Sequence, residues 1–161
     1  MMNKDVQERL IEVLMELLGI TIIKDRQGGA KPEGLYGMLE LANWSNLHEH
    51  EVRIDYAGPE DAVRATPRME LEWVFLFFIY GEGGEEKMRR LQSAVKLENN
   101  ILTKLKPQLT IHSISTINRI PELIGQVWEP RTQTNVIVRG VADEAFEVDV
   151  ITKHTIDIER K

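Results

Sequence analysis

His48-Glu49-His50 is the stretch whose residue types and spacing come nearest to metal chemistry. In an extended segment residues i and i+2 share a face, so both imidazoles would point the same way, and zinc readily takes imidazole nitrogen. A closed site needs further ligands at set spacings. The chain supplies none: it has no cysteine and lacks the H-E-x-x-H spacing of a zinc helix. A small metal-dependent hydrolase using His48 and His50 is the enzyme alternative, and a solvated connection between strands is the plainer expectation. His112 and His154 stand alone and read as ordinary strand positions. Glu70 and Glu72 share a strand face, but acid–base work needs a pocket that perturbs their pKa values, and nothing in the sequence indicates one. Asp25-Arg26-Gln27-Gly28-Gly29 lacks the G-x-x-x-x-G-K-[ST] pattern of a phosphate loop. No cofactor is expected.

Recognition is better represented than reaction. From Pro121 to Gly140, PELIGQVWEPRTQTNVIVRG, a short turn-like entry leads into a long alternating strand. Period two places Trp128, Thr132, Thr134, Val136 and Val138 on one side. It places Glu129, Arg131, Gln133, Asn135 and Arg139 on the other. Such a polar comb suits a surface that meets water, a partner chain or its own members. Glu129 and Arg131 can pair within the chain, which is worth under about 1 kcal/mol at a surface. Alternatively, the planar fork of Arg131 can engage a carboxylate of a neighbouring subunit. Trp44 and Trp128 are expected in the core, with a binding hot spot as the other use. Trp73 is expected in the core.

The 161 residues suffice for one domain with a real core, and 42% hydrophobic with 29% charged residues is normal for a folded domain. A net charge of −6 argues against a dedicated nucleic-acid binder, whose affinity comes mainly from Lys and Arg on phosphates. Absence of cysteine excludes disulfides and thiolate catalysis and suits a reducing compartment. The start, MMNKDVQERL, is charged and amphipathic rather than a signal peptide. No apolar run approaches the roughly 20 residues that span a bilayer, so no membrane partner is expected.

The elements that must position these residues follow from periodicity. Residues 3–18 read as a helix with Asn3 as N-cap and an apolar stripe of Val6, Leu10, Val13, Leu14, Leu17 and Leu18. Ile20 to Lys24 is a short β-branched run. Residues 35–45 and 51–56 read as strands of a simple hairpin. Residues 69–80 read as a central strand, apolar on both faces in its second half. Residues 85–97 read as a helix with Met88, Leu91 and Val95 inside and the pairs Glu85–Arg89 and Glu86–Arg90 outside. Residues 98–105 continue that helix or start another. Residues 109–120 and 148–158 read as further strands. The expectation is an α+β domain covering 1–161, a mostly antiparallel (mixed) sheet with two main helices on one face. Flexible loops are expected at 25–34 and 57–68.

WEPRTQ at Trp128 to Gln133 resembles the W-E-x-R-x-Q strand of phage neck or tail terminator-like proteins. YGMLELANWS at Tyr36 to Ser45 is similar to their early strand, RMELEWVFLFFIYG at Arg68 to Gly81 to their central strand, and QSAVKLENN at Gln92 to Asn100 to the end of the following helix. The resemblance spans roughly residues 35 to 160. It implies an α+β fold, no enzymatic activity and a ring of identical subunits, a hexamer in the family's pattern. Implied partners are the tail-tube protein and the head–tail connector, with DNA passing through the lumen unbound. The implied location is the virion's tail or neck, with host cytoplasm before assembly. Candidate subunit-interface residues are Glu129, Arg131, Gln133, Asn135, Arg139, Trp44 and Trp128. A monomeric α+β binding module stays open as a further alternative. Pro130 departs from the pattern: lacking an N–H, it marks a sheet edge or a kink inside the motif.

Overall fold

The computed structural model describes residues 3–25, 28–60, 62–143 and 146–148. In chain order these form α1 (Asn3–Leu18), β1 (Thr21–Lys24), β2 (Tyr36–Asn46), β3 (Arg53–Ala57), β4 (Arg64–Tyr80) and α2 (Gly84–Lys96). There follow a 3-10 turn (Leu102–Leu105), β5 (Leu109–Ile114), β6 (Asn118–Arg119), β7 (Glu122–Ile124), β8 (Val127–Glu129), β9 (Arg131–Asp143) and β10 (Phe146–Glu147). The architecture is α+β. The main sheet runs β1-β2-β4-β9-β5, antiparallel except for the β1–β2 pair, and β7–β8 is a separate hairpin.

β4 is the spine. Its odd-numbered residues Leu71, Trp73, Phe75, Phe77 and Ile79 are buried against the helices, as strict alternation requires. The α1 stripe expected from the sequence is buried with them, as are Met88 and Leu91 of α2. Full burial of a large apolar side chain stabilises by about 1.5–3 kcal/mol, so this one layer supplies most of the driving force. Among the described residues neither helix lies over the opposite face. There Tyr36, Phe78 and Tyr80 form a small cluster of their own, with Tyr36 and Tyr80 stacked at 5.0 Å between centroids. The apolar second half of β4 is thus covered on one side by helices and on the other by aromatic neighbours.

Both helix ends are tied down. Lys87 Nζ donates to Leu18 O at 2.7 Å and Arg90 Nε to Leu17 O at 2.9 Å, placing cations on the carbonyls that α1 cannot satisfy itself. α2 ends in a Schellman arrangement: Asn99 N–H reaches Ala94 O at 3.0 Å and Glu98 N–H reaches Val95 O at 3.4 Å, with Glu98 at φ 46°.

Several expectations are corrected. β2 and β3 are not a hairpin. Both pair with β4, β2 along residues 71–80 and β3 along 64–68, because β4 is long enough to carry two strands end to end on one side. Half of the expected loop 57–68 is therefore strand, Ala57 in β3 and residues 64–68 in β4. Residues 109–120 split into β5 and β6, and 98–105 contains a 3-10 turn. Arg90 serves the α1 carbonyl rather than Glu86. Asn3 lies in the first turn of α1, where its Oδ1 accepts the Trp73 Nε1 hydrogen at 2.8 Å, so its side chain satisfies the core indole. Of the strand expected at 148–158, residues 149–158 lie outside the described residues.

Candidate subunit interface

Pro130 divides the region that the sequence presented as one strand. β8 ends at Glu129, β9 starts at Arg131, and the Pro130 carbonyl accepts from Gly81 N–H at 2.9 Å. Without an N–H, Pro130 cannot continue the ladder, so the chain leaves the hairpin there and enters the sheet. Thr132, Thr134, Val136 and Val138 are buried on the helix side, as alternation predicts.

Arg131, Gln133, Asn135 and Arg139 face the other way, opposite Tyr80, Phe78, Leu76 and Glu72 of β4. Residues directly opposed across an antiparallel pair share a face, so these define the open side of the sheet. The two arginines are engaged within the chain. Arg139 Nε donates to Glu72 Oε2 at 2.8 Å. Arg131 Nε donates to Ile120 O at 3.2 Å, its Nη1 lies 3.4 Å from Glu122 Oε2, and its guanidinium sits 5.3 Å from the Phe78 ring centre. The expected Glu129–Arg131 pair is absent, because Pro130 puts the two on different strands. Glu129 instead receives Lys31 Nζ at 2.6 Å. Among the described residues the side-chain amides of Gln133 and Asn135 make no hydrogen bond.

Trp44 and Trp128 are not in the core. Trp44 is 53% exposed and Trp128 65%. Trp44 pairs with the fully buried Trp73 in register but lies on β2 past the bulge at Leu41/Asn43. Trp128 belongs to the β7–β8 hairpin, where Leu123 opposes Trp128 and Ile124 opposes Val127. Gly125 at φ 65° takes the first turn position, which a two-residue hairpin turn needs in the left-handed region. Leu123 is 53%, Ile124 44% and Val127 71% exposed. The sequence reading missed this apolar projection, although Ile-Gly-Gln-Val, two β-branched residues around a glycine turn, was its signal.

Burial raises the pKa of the Tyr36 and Tyr80 phenols at the base of this hairpin. For Tyr36, Glu129 and Glu122 add to the rise, and for Tyr80 Arg131 works against it. The distal end of β4 carries a second exposed patch on β3, with Ile54 and Tyr56 on either side of Asp55, whose carboxyl Arg68 and Arg53 hold below its ordinary range.

His48 Nε2 lies 3.1 Å from Glu70 Oε2, both exposed. Among the described residues no group of three or more His, Cys, Asp or Glu side chains could hold a metal ion, and no described helix is long and apolar enough to cross a membrane.

A search of curated proteins finds no match. Among solved structures, the chain is similar to the PVC sheath/tube terminator of an extracellular contractile injection system in its extended state. The TM-score is 0.59 at 12% identity over 100% of this chain. The chain spans 64% of that protein's length, and the likeness at this identity is one of fold. The family model for phage neck terminator proteins matches residues 4–161, WEPRTQ and the central strand included. A phage tail structural protein is the reading on which sequence, fold and family converge, and this chain belongs to the phage neck terminator protein family.

Proposed function

We propose that the chain acts without catalysis or cofactor, as one domain of 161 residues, closing the end of the tail tube or joining it to the neck as a ring of identical subunits. The observation that carries this reading is the pair of surfaces that the helices leave free: the exposed β7–β8 hairpin, and the partly buried middle of the sheet's other face around Met38, Leu76, Gln133 and Asn135. In a chain whose family comprises neck terminators, a half-apolar sheet face with unpaired amides stands beside an exposed apolar hairpin. Two unlike patches on one molecule favour head-to-tail contact, which closes into a ring when the rotation per subunit allows it. A hexamer is the ring size that the family resemblance implies.

One side of the ring meets the last ring of tail-tube protein, and the other meets the head–tail connector. The related injection-system terminator, described as a sheath/tube terminator, supports contact with tube and sheath. A net charge of −6 per subunit suits a lumen through which DNA slides by like-charge repulsion, without specific binding. The protein resides in the virion at the tail or neck, and in host cytoplasm before assembly. Glu129, Arg131, Gln133, Asn135, Arg139, Trp44 and Trp128 are the interface candidates. Gln133, Asn135 and Trp128 lead them, because the two arginines and Glu129 already have intrachain partners.

Electron microscopy of tails assembled with and without the protein tests the role. Overlong or ragged tubes are expected in its absence. Light scattering tests the ring, with a hexamer expected at high concentration or on addition of tail tubes. A strict monomer in the presence of tubes overturns it.

A further inference from the structure

We infer that the β7–β8 hairpin of one copy lies across the open face of the sheet of the next copy. This rests on the ring reading and deepens it by naming the two surfaces that meet.

Among the described residues none packs over the hairpin's apolar side chains. Its base is pinned by Glu122–Arg131 at 3.4 Å and Lys31–Glu129 at 2.6 Å, which hold it where Leu123, Ile124, Val127 and Trp128 stay 44–71% exposed. None of the four belongs to either apolar cluster. An isolated two-stranded hairpin is marginal in water, so this one gains most from cover by another surface. The receiving face is partly open. Met38 and Leu76, both partly buried, run across it beside the buried Phe78, and the partly exposed Gln133 and Asn135 stand among them with side-chain amides that make no hydrogen bond among the described residues.

Polar groups match as well. In a hairpin closed by a two-residue turn, the pair next to the closing one is non-hydrogen-bonded, so the N–H and C=O groups of Leu123 and Trp128 point outward along the two edges. Side-chain amides both donate and accept, so Gln133 and Asn135 suit a passing strand edge.

The ring reading supplies a second copy as the occupant, and charge does not oppose it. Two chains of net charge −6 repel unless they meet through surfaces carrying little of that charge. Residues 123–128 carry none. The middle of the open face has Glu40 alone beside Leu76 and Asn135. The two patches are unlike and lie on one molecule, so each copy both gives and receives.

The absence of cysteine allows a clean test. One preparation carries Val127→Cys and a second carries Asn135→Cys. They are mixed at high concentration, with and without tail tubes, and treated with a short bis-maleimide. A heterodimer is expected from the mixture at least tenfold above either preparation alone, because any V127C–N135C link in the mixture is intermolecular. The double variant is expected to give a ladder ending at the closed ring. A third preparation with Glu12→Cys on the helix side, mixed with V127C, should stay at background. Oligomers by light scattering without the heterodimer overturn this contact and leave the ring standing. Monomers throughout overturn the ring and the contact together. A link confined to single chains of the double variant shows the hairpin folding onto its own sheet and also overturns the contact.

Discussion

Gly140 shows how a single position constrains the sheet. A Cβ there would lie 2.5 Å from Gln108 O and 2.7 Å from Leu109 Cδ2, with Trp73 Cζ3 at 3.3 Å. One contact is backbone and another a fully buried indole, so nothing yields cheaply. Gly140→Ala is expected to destabilise by about 1–3 kcal/mol, the usual range for overpacking, seen as a lower urea midpoint with an unchanged slope. At the opposite end of the sheet, burial raises the pKa of Tyr36 and Tyr80. A phenol whose folded pKa lies above its unfolded value stabilises the fold fully below that unfolded value, about 10. The contribution is lost as pH rises through the folded pKa. Ultraviolet titration of phenolate should therefore show late steps that Tyr36→Phe and Tyr80→Phe each remove. Unchanged late absorbance in both variants would contradict the burial of that pair.

Among the elements, α2 carries a local cost that the fold tolerates. Glu98 occupies the left-handed position of the Schellman turn, where a side chain costs roughly 1–2 kcal/mol and glycine little. Its exposed pair with Lys106 at 3.3 Å returns under about 1 kcal/mol. Glu98→Gly is expected to raise stability by about 0.5–1 kcal/mol, read from the denaturation midpoint. A lower midpoint would show that the ion pair outweighs the backbone strain. β4 has a different part. It carries the core on one side and the open face on the other, so its alternation places every interface candidate on β9 through register alone. Pro130 then frees the preceding hairpin to stand away from the sheet.

On the scale of the assembly, the source of association decides how salt acts. If Arg131 and Arg139 bridged subunits, added salt would screen them and weaken the ring. Both are engaged within the chain, and the proposed contact is apolar between copies of net charge −6. Raising ionic strength from about one Debye length of 10 Å to one of 3 Å screens the repulsion and leaves the apolar gain in place. Association by light scattering is thus expected to strengthen with sodium chloride. Val127→Asp should abolish it while changing the monomer's stability by no more than about 0.5 kcal/mol, as exposed substitutions do. Loss of association with rising salt would return the arginines to the interface.

Local pattern was enough to reveal α1, α2, the core face of β4 and the buried side of β9, because burial imposes periods of 3.6 and 2 that survive in any sequence. The family resemblance was legible for a related reason: WEPRTQ joins a turn residue to an alternating run in fixed order. Pairing was not legible. That β3 follows β2 along one side of β4 depends on which strand reaches which, and a 17-residue strand offers room for two partners that no local window can display. The partners of Glu129 and Arg131 were hidden likewise, since Lys31 and Glu122 reach them only across the folded hairpin. Trp44 and Trp128 show the limit most plainly. Their type argued for burial, but whether a large apolar side chain is covered depends on what lies opposite it, and only the three-dimensional arrangement leaves both in the open.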